Sequence, residues 1–422
     1  MDKRSFLKSL SLIGLGSATP AFSLDRWISK HEHVSPGLLA ADEDFWEGIR
    51  KGYRLKEDYI NLENGYYCFL PQETLEKYIG HLREINLQAS YYMRTVQFDN
   101  KRKMAGKLAA VIGGLEEEVG ITRNTTESLD LIIGGLDWKE GDEAVMAEQD
   151  YGTMLNMFRQ VAARHGVVNK FINIPLHPKN DEEIVEVYAA AITGKTRLVM
   201  LPHIVNITGQ IMPVRKIADM AHAKGALVMV DGAHAVGHFR FNINDLHCDF
   251  YGSSLHKWLS VPLGSGLLWV KKENISKVIW PLLSAGDKKP DDITRLNWLG
   301  THPVHTDLAI ADAIDYYNMI GPERKEARLR YLQSYWTSKL RKVPNVIINT
   351  PEDPARHCGI GNVGVTTVKP GDLGDILMKK YKIFTVPIDG AGVHGLRVTP
   401  NVYTRPAELD KLVTAVTEIA RG

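Results

Sequence analysis

The stretch that decides the fold is ALVMVDGAHAVGHFRFNINDLHCDFYGSSLHKWLSVPLGSGLLW, which runs from Ala226 to Trp269. It opens with an apolar run that ends in an acid, Asp231, and it later reaches Lys257 directly after Ser254-Leu255-His256. α/β proteins bind their ligands at the carboxyl ends of parallel strands. The stretch therefore predicts a buried strand that ends at a ligand site facing Asp231 and Lys257.

Apolar strands alternate with amphipathic helices upstream of this stretch. The predicted helices cover 73–87, 153–164 and 214–224, and the predicted strands cover 143–147, 167–174, 197–205 and 226–230. Strands that are apolar on both faces are typical of a parallel sheet covered by helices on both sides. We therefore expect an α/β fold with a mostly parallel sheet in a three-layer α/β/α domain.

A second region begins after about residue 301. A long helical stretch over 309–340 is followed by strand-like segments, and a final amphipathic helix opens at Pro406, which suits a first helical turn. The strand-like segments are 362–368 and 382–386. The predicted organisation is an N-terminal segment at 24–75, a large domain at 76–300 and a smaller C-terminal α+β domain at 301–422.

Composition excludes several classes of protein. The 422 residues are 44% hydrophobic and 24% charged, which is ordinary for a globular chain and excludes disorder, coiled coil and collagen. With 51 basic and 50 acidic residues the net charge is +1, so neither phosphate neutralisation on nucleic acid nor a polybasic membrane surface is expected. Three cysteines form neither a disulfide framework nor a metal-ligand cluster. These observations favour a large enzyme without a metal site.

The first 23 residues have the pattern of an export signal. Lys3, Arg4 and Lys8 precede a short apolar run over 10–22, and small residues follow at the end. The run is too short to span a membrane, so we exclude 1–23 from the fold. The basic start resembles a twin-arginine signal in which Lys replaces one Arg, which predicts an exported, periplasmic protein. The alternative is a helical arm of a cytoplasmic protein.

The residues of the deciding stretch carry the chemistry that one cofactor needs. An acid at a strand end, Asp231, can hold a protonated pyridine nitrogen, and Lys257 can form a Schiff base with an aldehyde. Ser254 and His256 can bind a phosphate beside that lysine. Together these are the requirements of pyridoxal phosphate. Taken singly, the acid could be a cap or an ion-pair partner and the lysine could be a solvated surface residue.

The order Asp-Gly-Ala-His at 231–234, Ser-x-His-Lys at 254–257 and a glycine-rich strand resembles the class V aminotransferase superfamily. The resemblance extends over nearly the whole chain after the signal, and Asp-Gly-Ala-His favours the isopenicillin N epimerase-like branch over the desulfurases. It implies the fold type I architecture of pyridoxal-phosphate-dependent enzymes, with pyridoxal 5′-phosphate as cofactor.

The resemblance also implies cofactor contacts outside the deciding stretch. Thr125 and Thr126 lie in a loop, 120–128, that matches the family's phosphate cup, although the same residues could simply cap a helix. Asn206 and His234 match the two partners of the cofactor's phenolic oxygen. For the residue that stacks on the pyridine, the direct match is Gln149, and we prefer the aromatic Tyr151.

Three further positions concern the substrate and the partner subunit. Asn64 lies in a segment, 61–66, that resembles one lining the family's active site, or else forms a turn. Thr301 matches a Gly-Thr motif that serves the phosphate of the neighbouring subunit, which implies a homodimer with shared active sites. Arg397 begins Arg-Val-Thr-Pro-Asn-Val-Tyr and would clamp the substrate α-carboxylate with a bidentate fork; without the family it is a surface arginine.

These residues indicate an enzyme that acts on an amino acid through a carbanion at Cα. Lys257 holds the cofactor and acts as the base, and Asp231 keeps the pyridine nitrogen protonated. No cysteine lies in an evident desulfurase loop, so persulfide chemistry on the protein is not expected. Epimerisation and β-elimination by a C–S lyase use the same residues. The alternatives are a class V aminotransferase and, from another class, a catalytically inactive binding protein of the same fold.

Overall fold

The computed structural model describes residues 23–282, 286–298 and 300–422. Apart from Ser23, the predicted export signal lies outside the described residues, so export stays a prediction. In the part of the chain that is described, no helix combines the length and the apolar character that a membrane span requires.

The N-terminal segment forms three short helices and one short strand. The helices are α1 (Leu24–Ser29), α2 (Pro36–Leu39) and α3 (Glu43–Arg50), and the strand is β1 (Ile60–Asn61). The side chain of Asp42 accepts the N–H of Phe45 at 3.0 Å and so caps α3. Phe45, Trp46 and Ile49 of that helix are buried in a small aromatic core with Val402 and Tyr403 from the far end of the chain.

The large sheet has seven strands. They are β2 (Val119–Thr122), β3 (Glu143–Ala147), β4 (Val168–Ile172), β5 (Thr196–Pro202), β6 (Leu227–Asp231), β7 (Phe250–Ser254) and β8 (Gly266–Val270), in the order β2-β8-β7-β6-β5-β3-β4. The pairs from β7 to β4 are all parallel, and only β8 runs antiparallel to its two neighbours. The carboxyl ends of six strands therefore lie at one edge, as the sequence predicts.

Helices cover both faces of this sheet. Val228 and Val230 of β6 lie in one core and Met229 between them lies in the other, which is the period-two alternation of a strand buried on both faces. This confirms the predicted α/β fold. The helices of this region are α4 (Gln72–Gln88), α5 (Ser90–Thr95), α6 (Gln97–Ile112), α7 (Thr125–Gly135), α8 (Gly152–His165), α9 (Asp181–Ala191) and α10 (Val214–His222).

The C-terminal region contains a second, antiparallel sheet and its helices. Its elements are α11 (Val304–Ile320), α12 (Pro322–Leu340), β9 (Val346–Ile348), β10 (Gly361–Val365), α13 (Pro370–Ile376), β11 (Ile383–Phe384), β12 (Val386–Gly390), β13 (Val393–Val398) and α14 (Pro406–Arg421). The sheet order is β12-β13-β10-β9. Trp336 from α12 and Leu412 from α14 are fully buried in the core beneath it.

The helical stretch predicted over 309–340 is two helices rather than one. Gly321 separates α11 from α12 with a φ of 94°, a conformation that L-residues avoid, and Pro322 opens α12 at its first turn. The break changes the direction of the chain. As a result, Ile310 and Ile314 of α11 pack in the core of the large sheet, whereas Leu332 of α12 packs under the small sheet.

The N-terminal segment is joined to the C-terminal region by strand pairing and by an ion pair. β1 pairs in parallel with β11, and Glu63 forms a parallel bridge with Thr399 at the end of β13. Arg328 of α12 donates to Glu43 at 2.6 Å from the other side. These contacts hold residues 61–66 above the carboxyl ends of the large sheet, where they close one side of a cavity.

Candidate active site

A cavity of about 420 Å³ lies at the carboxyl ends of the large sheet, under the segment 61–66 and the end of β13. It brings together ten of the residues that the sequence predicts. These are Thr125, Thr126, Tyr151, Asn206, Asp231, His234, Ser254, His256, Lys257 and Arg397. They come from six separate segments, and five of these converge because they follow strands that end at the same edge of the large sheet, whereas Arg397 reaches the cavity from β13 of the small sheet.

Asp231 forms the floor of the cavity as the last residue of β6. It is 8% exposed, and one carboxylate oxygen accepts the N–H of Ala233 at 2.9 Å. Burial raises the pKa of Asp231, and the attraction of Lys257 opposes that rise. A cationic ring nitrogen placed against this carboxylate would replace the solvation that burial has removed.

Lys257 lies in the turn that follows β7, and its amine faces the same cavity. Its Nζ is 2.9 Å from Nε2 of His234. Burial lowers the pKa of Lys257 to about 8, with Asp231 opposing that shift and Arg397 adding to it. Near neutral pH this lysine is therefore uncharged more often than an ordinary lysine, and the uncharged amine is the form that attacks a carbonyl carbon and accepts a proton.

The opposite end of the cavity is built for an anion. The backbone N–H of Thr125, in the first turn of α7, donates to the Ser254 hydroxyl at 3.0 Å, and the two hydroxyls are 2.7 Å apart. Asn124 caps α7 by accepting the N–H of Glu127 at 2.9 Å. Nδ1 of His256 is buried without a protein partner in the described structure. The helix terminus, the hydroxyls and the unpaired nitrogen suit a phosphate.

The structure distinguishes between the two candidates for the stacking residue. Gln149 is 2% exposed, and its amide is used by the backbone: its oxygen accepts the N–H of Ile174 at 3.0 Å and its nitrogen donates to Ala391 at 3.2 Å. Tyr151 lines the cavity with 47% of its surface exposed. Tyr151 is thus placed where a flat ring could stack, and its stacking role stays a prediction.

Arg397 lines the cavity but is already paired. Its Nε and Nη2 donate to the two oxygens of Glu63 at 3.1 and 2.7 Å, and both side chains are less than a tenth exposed. Nη1 donates to the carbonyl of Asn206 at 3.4 Å. Glu63 thus occupies the side edge of the guanidinium, and the end edge formed by Nη1 and Nη2 is left for a second carboxylate.

Two predicted residues are not brought to the cavity. Asn64 is fully buried, and its side chain donates to the Thr399 carbonyl at 2.6 Å and accepts the Tyr403 hydroxyl at 2.6 Å. Its role here is to fasten the segment that carries Glu63. Thr301 is exposed on the surface and is not among the lining residues of its own chain's cavity.

Two residues of the site are missing from the sequence prediction. Glu63 stands next to Asn64, and only its long-range contact with Arg397 reveals its role. Trp258 follows Lys257 directly and donates its indole N–H to Nδ1 of His234 at 3.2 Å. In the sequence, the signal for Trp258 is its position directly after Lys257. An indole at that position can donate a hydrogen bond to a neighbouring side chain and cannot accept one.

No thiol serves this cavity. All three cysteines lie in the described ranges, all are buried, and none is a lining residue. Cys68 accepts a hydrogen bond from Asn401 at 3.2 Å, and burial raises its pKa to about 12. Burial also raises the pKa of Cys248 and that of Cys358. A buried thiol whose pKa is raised is a poor nucleophile.

The arrangement fits pyridoxal phosphate from end to end. The unpaired Nδ1 of His256 and the N-terminus of α7 offer donors to a phosphate, Asp231 offers a carboxylate to a ring nitrogen, and Lys257 offers an amine to an aldehyde. Within the described residues, no group of three or more acidic, histidine or cysteine side chains could hold a metal ion. The chemistry that the cavity can support is therefore that of an organic cofactor bound to Lys257.

A family model described as aminotransferase class V matches residues 69–394. Isopenicillin N epimerase from Streptomyces clavuligerus is 27% identical over 390 residues, which cover 88% of this chain and 97% of that protein.

Among solved structures, the apo cysteine desulfurase from Thermococcus onnurineus NA1 is 24% identical with a TM-score of 0.79, over 89% of this chain and 98% of that one. The cystine C–S lyase C-DES, solved in complex with its reaction product cysteine persulfide, has a TM-score of 0.76 at 21% identity. The match covers 86% of this chain and 97% of C-DES. Both show the same fold.

Proposed function

This chain belongs to the class V aminotransferase family, and on that premise we propose that it is a pyridoxal-phosphate-dependent enzyme that removes the α-proton of an amino acid. The observation that carries the proposal is the placement of Lys257 in one cavity with Asp231 and Arg397. The amine, the acid and the guanidinium match the three tasks of the reaction, which are to move a proton, to pair a cationic ring nitrogen and to bind a carboxylate.

Each task follows from the chemistry of one side chain. Lys257 binds the cofactor covalently and, once released by the incoming substrate amine, carries the proton to and from Cα; its lowered pKa of about 8 suits that exchange. Asp231 holds a proton on the ring nitrogen. Arg397 orients the substrate by its carboxylate. Pyridoxal phosphate, when bound, supplies the electron-withdrawing ring that stabilises the negative charge at Cα.

Two outcomes of this proton removal are proposed, epimerisation of Cα and β-elimination by a C–S lyase. The burial of all three thiols supports both over a desulfurase reaction, because that reaction transfers sulfur to a protein cysteine. The similarity to isopenicillin N epimerase over almost the whole length of that enzyme supports the first, and the fold shared with the C–S lyase C-DES agrees with the second.

The experiment is to incubate the enzyme with a panel of amino acids and cysteine conjugates in deuterated water. Deuterium at Cα with inversion identifies an epimerase, and pyruvate with ammonia and a thiol or sulfide identifies a lyase. Amino-group transfer to an added keto acid identifies an aminotransferase. A chain that binds pyridoxal phosphate and exchanges no Cα proton in any member of the panel would overturn the proposal in favour of a binding protein.

The chain offers a matched pair of lysines for testing the central residue. Lys325 is buried and Lys257 is partly buried, and loss of solvation lowers the pKa of each to about 8, but of the two only Lys257 lines the cavity. Lys325 instead donates to the carbonyl of Trp258. Borohydride reduction of the loaded enzyme should label the peptide that holds Lys257, and Lys257→Ala should abolish both the label and proton exchange. A label on Lys325 would refute the assignment.

We also propose that the enzyme is a homodimer in which Thr301 serves the phosphate of the other subunit. The exposure of Thr301 supports this, since it is free to reach a neighbour. Close by in the sequence, Trp298 is 38% exposed and stacks on Phe98, which is 56% exposed, at 5.9 Å between ring centroids. Exposed aromatic pairs of this kind are typical of interfaces.

The proposed location is the periplasm, with the basic N-terminus as the signal. The support is the sequence pattern of Lys3, Arg4 and the apolar run that follows. Fractionation of cells that express the full chain, compared with Lys3→Gln/Arg4→Gln, tests this: the double variant should stay in the cytoplasm. Equal export of both would show that these residues are no signal.

A further inference from the structure

His234 is held by two nitrogen neighbours, and their chemistry fixes where its proton lies. The indole N–H of Trp258 points at Nδ1 at 3.2 Å, and Nζ of Lys257 lies 2.9 Å from Nε2. An indole nitrogen can only donate, so Nδ1 must accept and cannot carry a hydrogen. The ring is therefore neutral with its proton on Nε2, in agreement with the lowered pKa of His234 that burial and the positive charge of Lys257 cause.

Trp258 is itself held on several sides. The ring of His238 stacks on it with centroids 3.7 Å apart and planes 12° from parallel. Nε2 of His238 accepts the N–H of Gly359 at 2.7 Å, so Nδ1 carries the proton and donates to the carbonyl of His234 at 2.7 Å. Lys325 donates to the backbone carbonyl of Trp258. The indole is thus fixed in position and direction by groups that do not line the cavity.

We propose that Trp258 is a positioning residue that acts through His234: by fixing the His234 proton on Nε2 it makes His234 a hydrogen-bond donor to the cavity and favours the uncharged amine of Lys257. The Nε2–H can donate to the lone pair of an amine, whereas an ammonium at 2.9 Å would face another donor. A cofactor oxygen beside Lys257 would meet the same donor. The statement about the cofactor oxygen rests on the proposed function, because the proposed function assigns Lys257 to the cofactor.

The inference narrows the proposed mechanism. A general base needs an unprotonated nitrogen facing its proton, and the only unprotonated nitrogen of His234 faces Trp258. His234 therefore does not remove the substrate proton. If the enzyme is an epimerase, the proton carrier on the face opposite Lys257 is another group of the cavity.

The titratable and charged groups that face Lys257 and His234 are identified, so the effect of pH on this pair of side chains can be interpreted. Lys257 is faced by Asp231, Glu63, Cys68, Arg397 and His256, and His234 is faced by Lys257, Arg397, His238 and His256. None of them changes in the variants below except His234 itself. The readout is the pH dependence of the rate at which the cofactor-free full chain captures pyridoxal phosphate, followed by the visible absorbance of the bound form.

In the wild type the capture rate should rise with pH, because the reactive amine forms as Lys257 loses its proton, with a midpoint near 8. Trp258→Phe keeps an aromatic ring against His238 and removes only the donor. Nε2 of His234 can then accept from the ammonium, so the midpoint should shift upward by about one pH unit, the size expected for one hydrogen bond. Trp336→Phe is the matched control, since its buried indole N–H has no partner among the residues that the structure describes, and it should not shift the midpoint.

The His234→Gln background separates the two possible causes of such a shift. If Trp258 acts through His234, Trp258→Phe should cause no further shift in that background. An equal shift in both backgrounds would show that Trp258 acts by packing, and no shift in the wild-type background would overturn the proposal.

A second measurement covers the case in which Trp258→Phe fails to fold, and it is independent of the cofactor. In wild-type protein with ¹⁵N-labelled histidine, the resonances that disappear in His234→Gln should be those of a protonated Nε2 and a bare Nδ1. The opposite tautomer, or a doubly protonated ring, would overturn the proposal. If borohydride labelled a lysine other than Lys257, the proposed function would fail, while this NMR result would still decide the tautomer.

Discussion

At the scale of single residues, the ion pair of Arg397 with Glu63 changes what a mutation at the clamp means. Arg397→Ala would leave a buried, unpaired Glu63, and breaking a buried pair in this way costs about 3–5 kcal/mol of stability. A loss of activity in that variant would therefore combine weaker substrate binding with lower stability of the fold, and the two causes could not be separated. The double variant Glu63→Gln/Arg397→Gln removes both charges together and avoids the unpaired one.

We expect this double variant to be close to the wild type in its melting temperature and to bind carboxylate-bearing amino acids much more weakly. The loss should be about 2–5 kcal/mol, the cost of losing one partner of a desolvated charge pair. Amines that lack the carboxylate should distinguish little between the two proteins. The measurement is substrate titration with calorimetry and melting in parallel. Unchanged affinity for amino acids would remove Arg397 from the substrate site.

Glu63→Gln alone should have the opposite effect on binding. It leaves Arg397 with an uncompensated charge in the free enzyme, which lowers stability, and a substrate carboxylate then supplies the missing partner. We therefore expect a lower melting temperature and a lower KM for amino acids than in the wild type, with the KM for plain amines unchanged. A raised KM would mean that Glu63 orients Arg397 more than it competes with the substrate.

Asp231 and Asp150 form a matched pair of buried acids. Burial raises the pKa of Asp150 well above the usual value for a carboxyl, and Asp150 accepts the N–H of Ala147 at 2.7 Å without lining the cavity. Asn should replace it with little change in rate. Asp231→Asn should keep the cofactor, because the phosphate contacts remain, and lose on the order of a hundredfold in rate. Equal rates for the two variants would show that the wrong acid is assigned.

At the scale of elements, the break between α11 and α12 depends on one backbone conformation. Gly321 has a φ of 94°, and a Cβ there would meet only side-chain atoms at 3.5 Å or more, so the strain would come from the backbone itself. Gly321→Ala should destabilise the protein by about 1–3 kcal/mol in urea unfolding. Gly80→Ala is the control, since Gly80 lies in α4 with open space around its Cα, and Ala should stabilise a helix there by about 1 kcal/mol.

The sequence predicts elements well where the signal is local. The strand of Leu227–Asp231 and the final helix from Pro406 lie almost where the apolar pattern and the proline place them. The helical pattern over 309–340 continues through Gly321, because one glycine is compatible with a helix. The φ of Gly321 is set by the two hydrophobic cores against which α11 and α12 pack, and those cores are not a local feature of the sequence. The short β1 was not predicted, since two residues carry no periodicity and its partner, β11, is far along the chain.

At the scale of the whole molecule, the family, the fold and the dependence on pyridoxal phosphate predicted from the sequence are confirmed. The site was predictable where its residues follow the ends of neighbouring strands, as Asp231 does at the end of β6 and Lys257 in the turn after β7. It was less predictable where the contact joins distant segments: Glu63 with Arg397 leaves no local pattern. The placement of Asn64 outside the cavity has the same origin, since its partners Thr399 and Tyr403 are brought to it only by the fold.

The proposed dimer is tested by dividing the site between subunits. Thr301→Ala should weaken retention of pyridoxal phosphate about tenfold, as expected for the loss of one hydrogen bond to a charged group. In mixed dimers of Thr301→Ala with Lys257→Ala chains, one site receives both substitutions and the other receives neither, so half of the sites should retain pyridoxal phosphate as tightly as the wild type. A fully active monomer in light scattering, or mixed dimers in which no site retains the cofactor as tightly as the wild type, would contradict the shared site.

The contacts between the N-terminal segment and the C-terminal region have a consequence for folding during synthesis of the chain. All strands of the large sheet are complete once Val270 has been made, whereas the segment around Asn64 needs partners some 335 residues later, on β13 and beyond. A ribosome makes the N-terminal segment first, and its docking must wait until the last strand has emerged. Such non-local closure is slow, and domains made earlier fold ahead of it. On stalled nascent chains that end before residue 393, protease should cut within 55–70 while the large sheet is already protected.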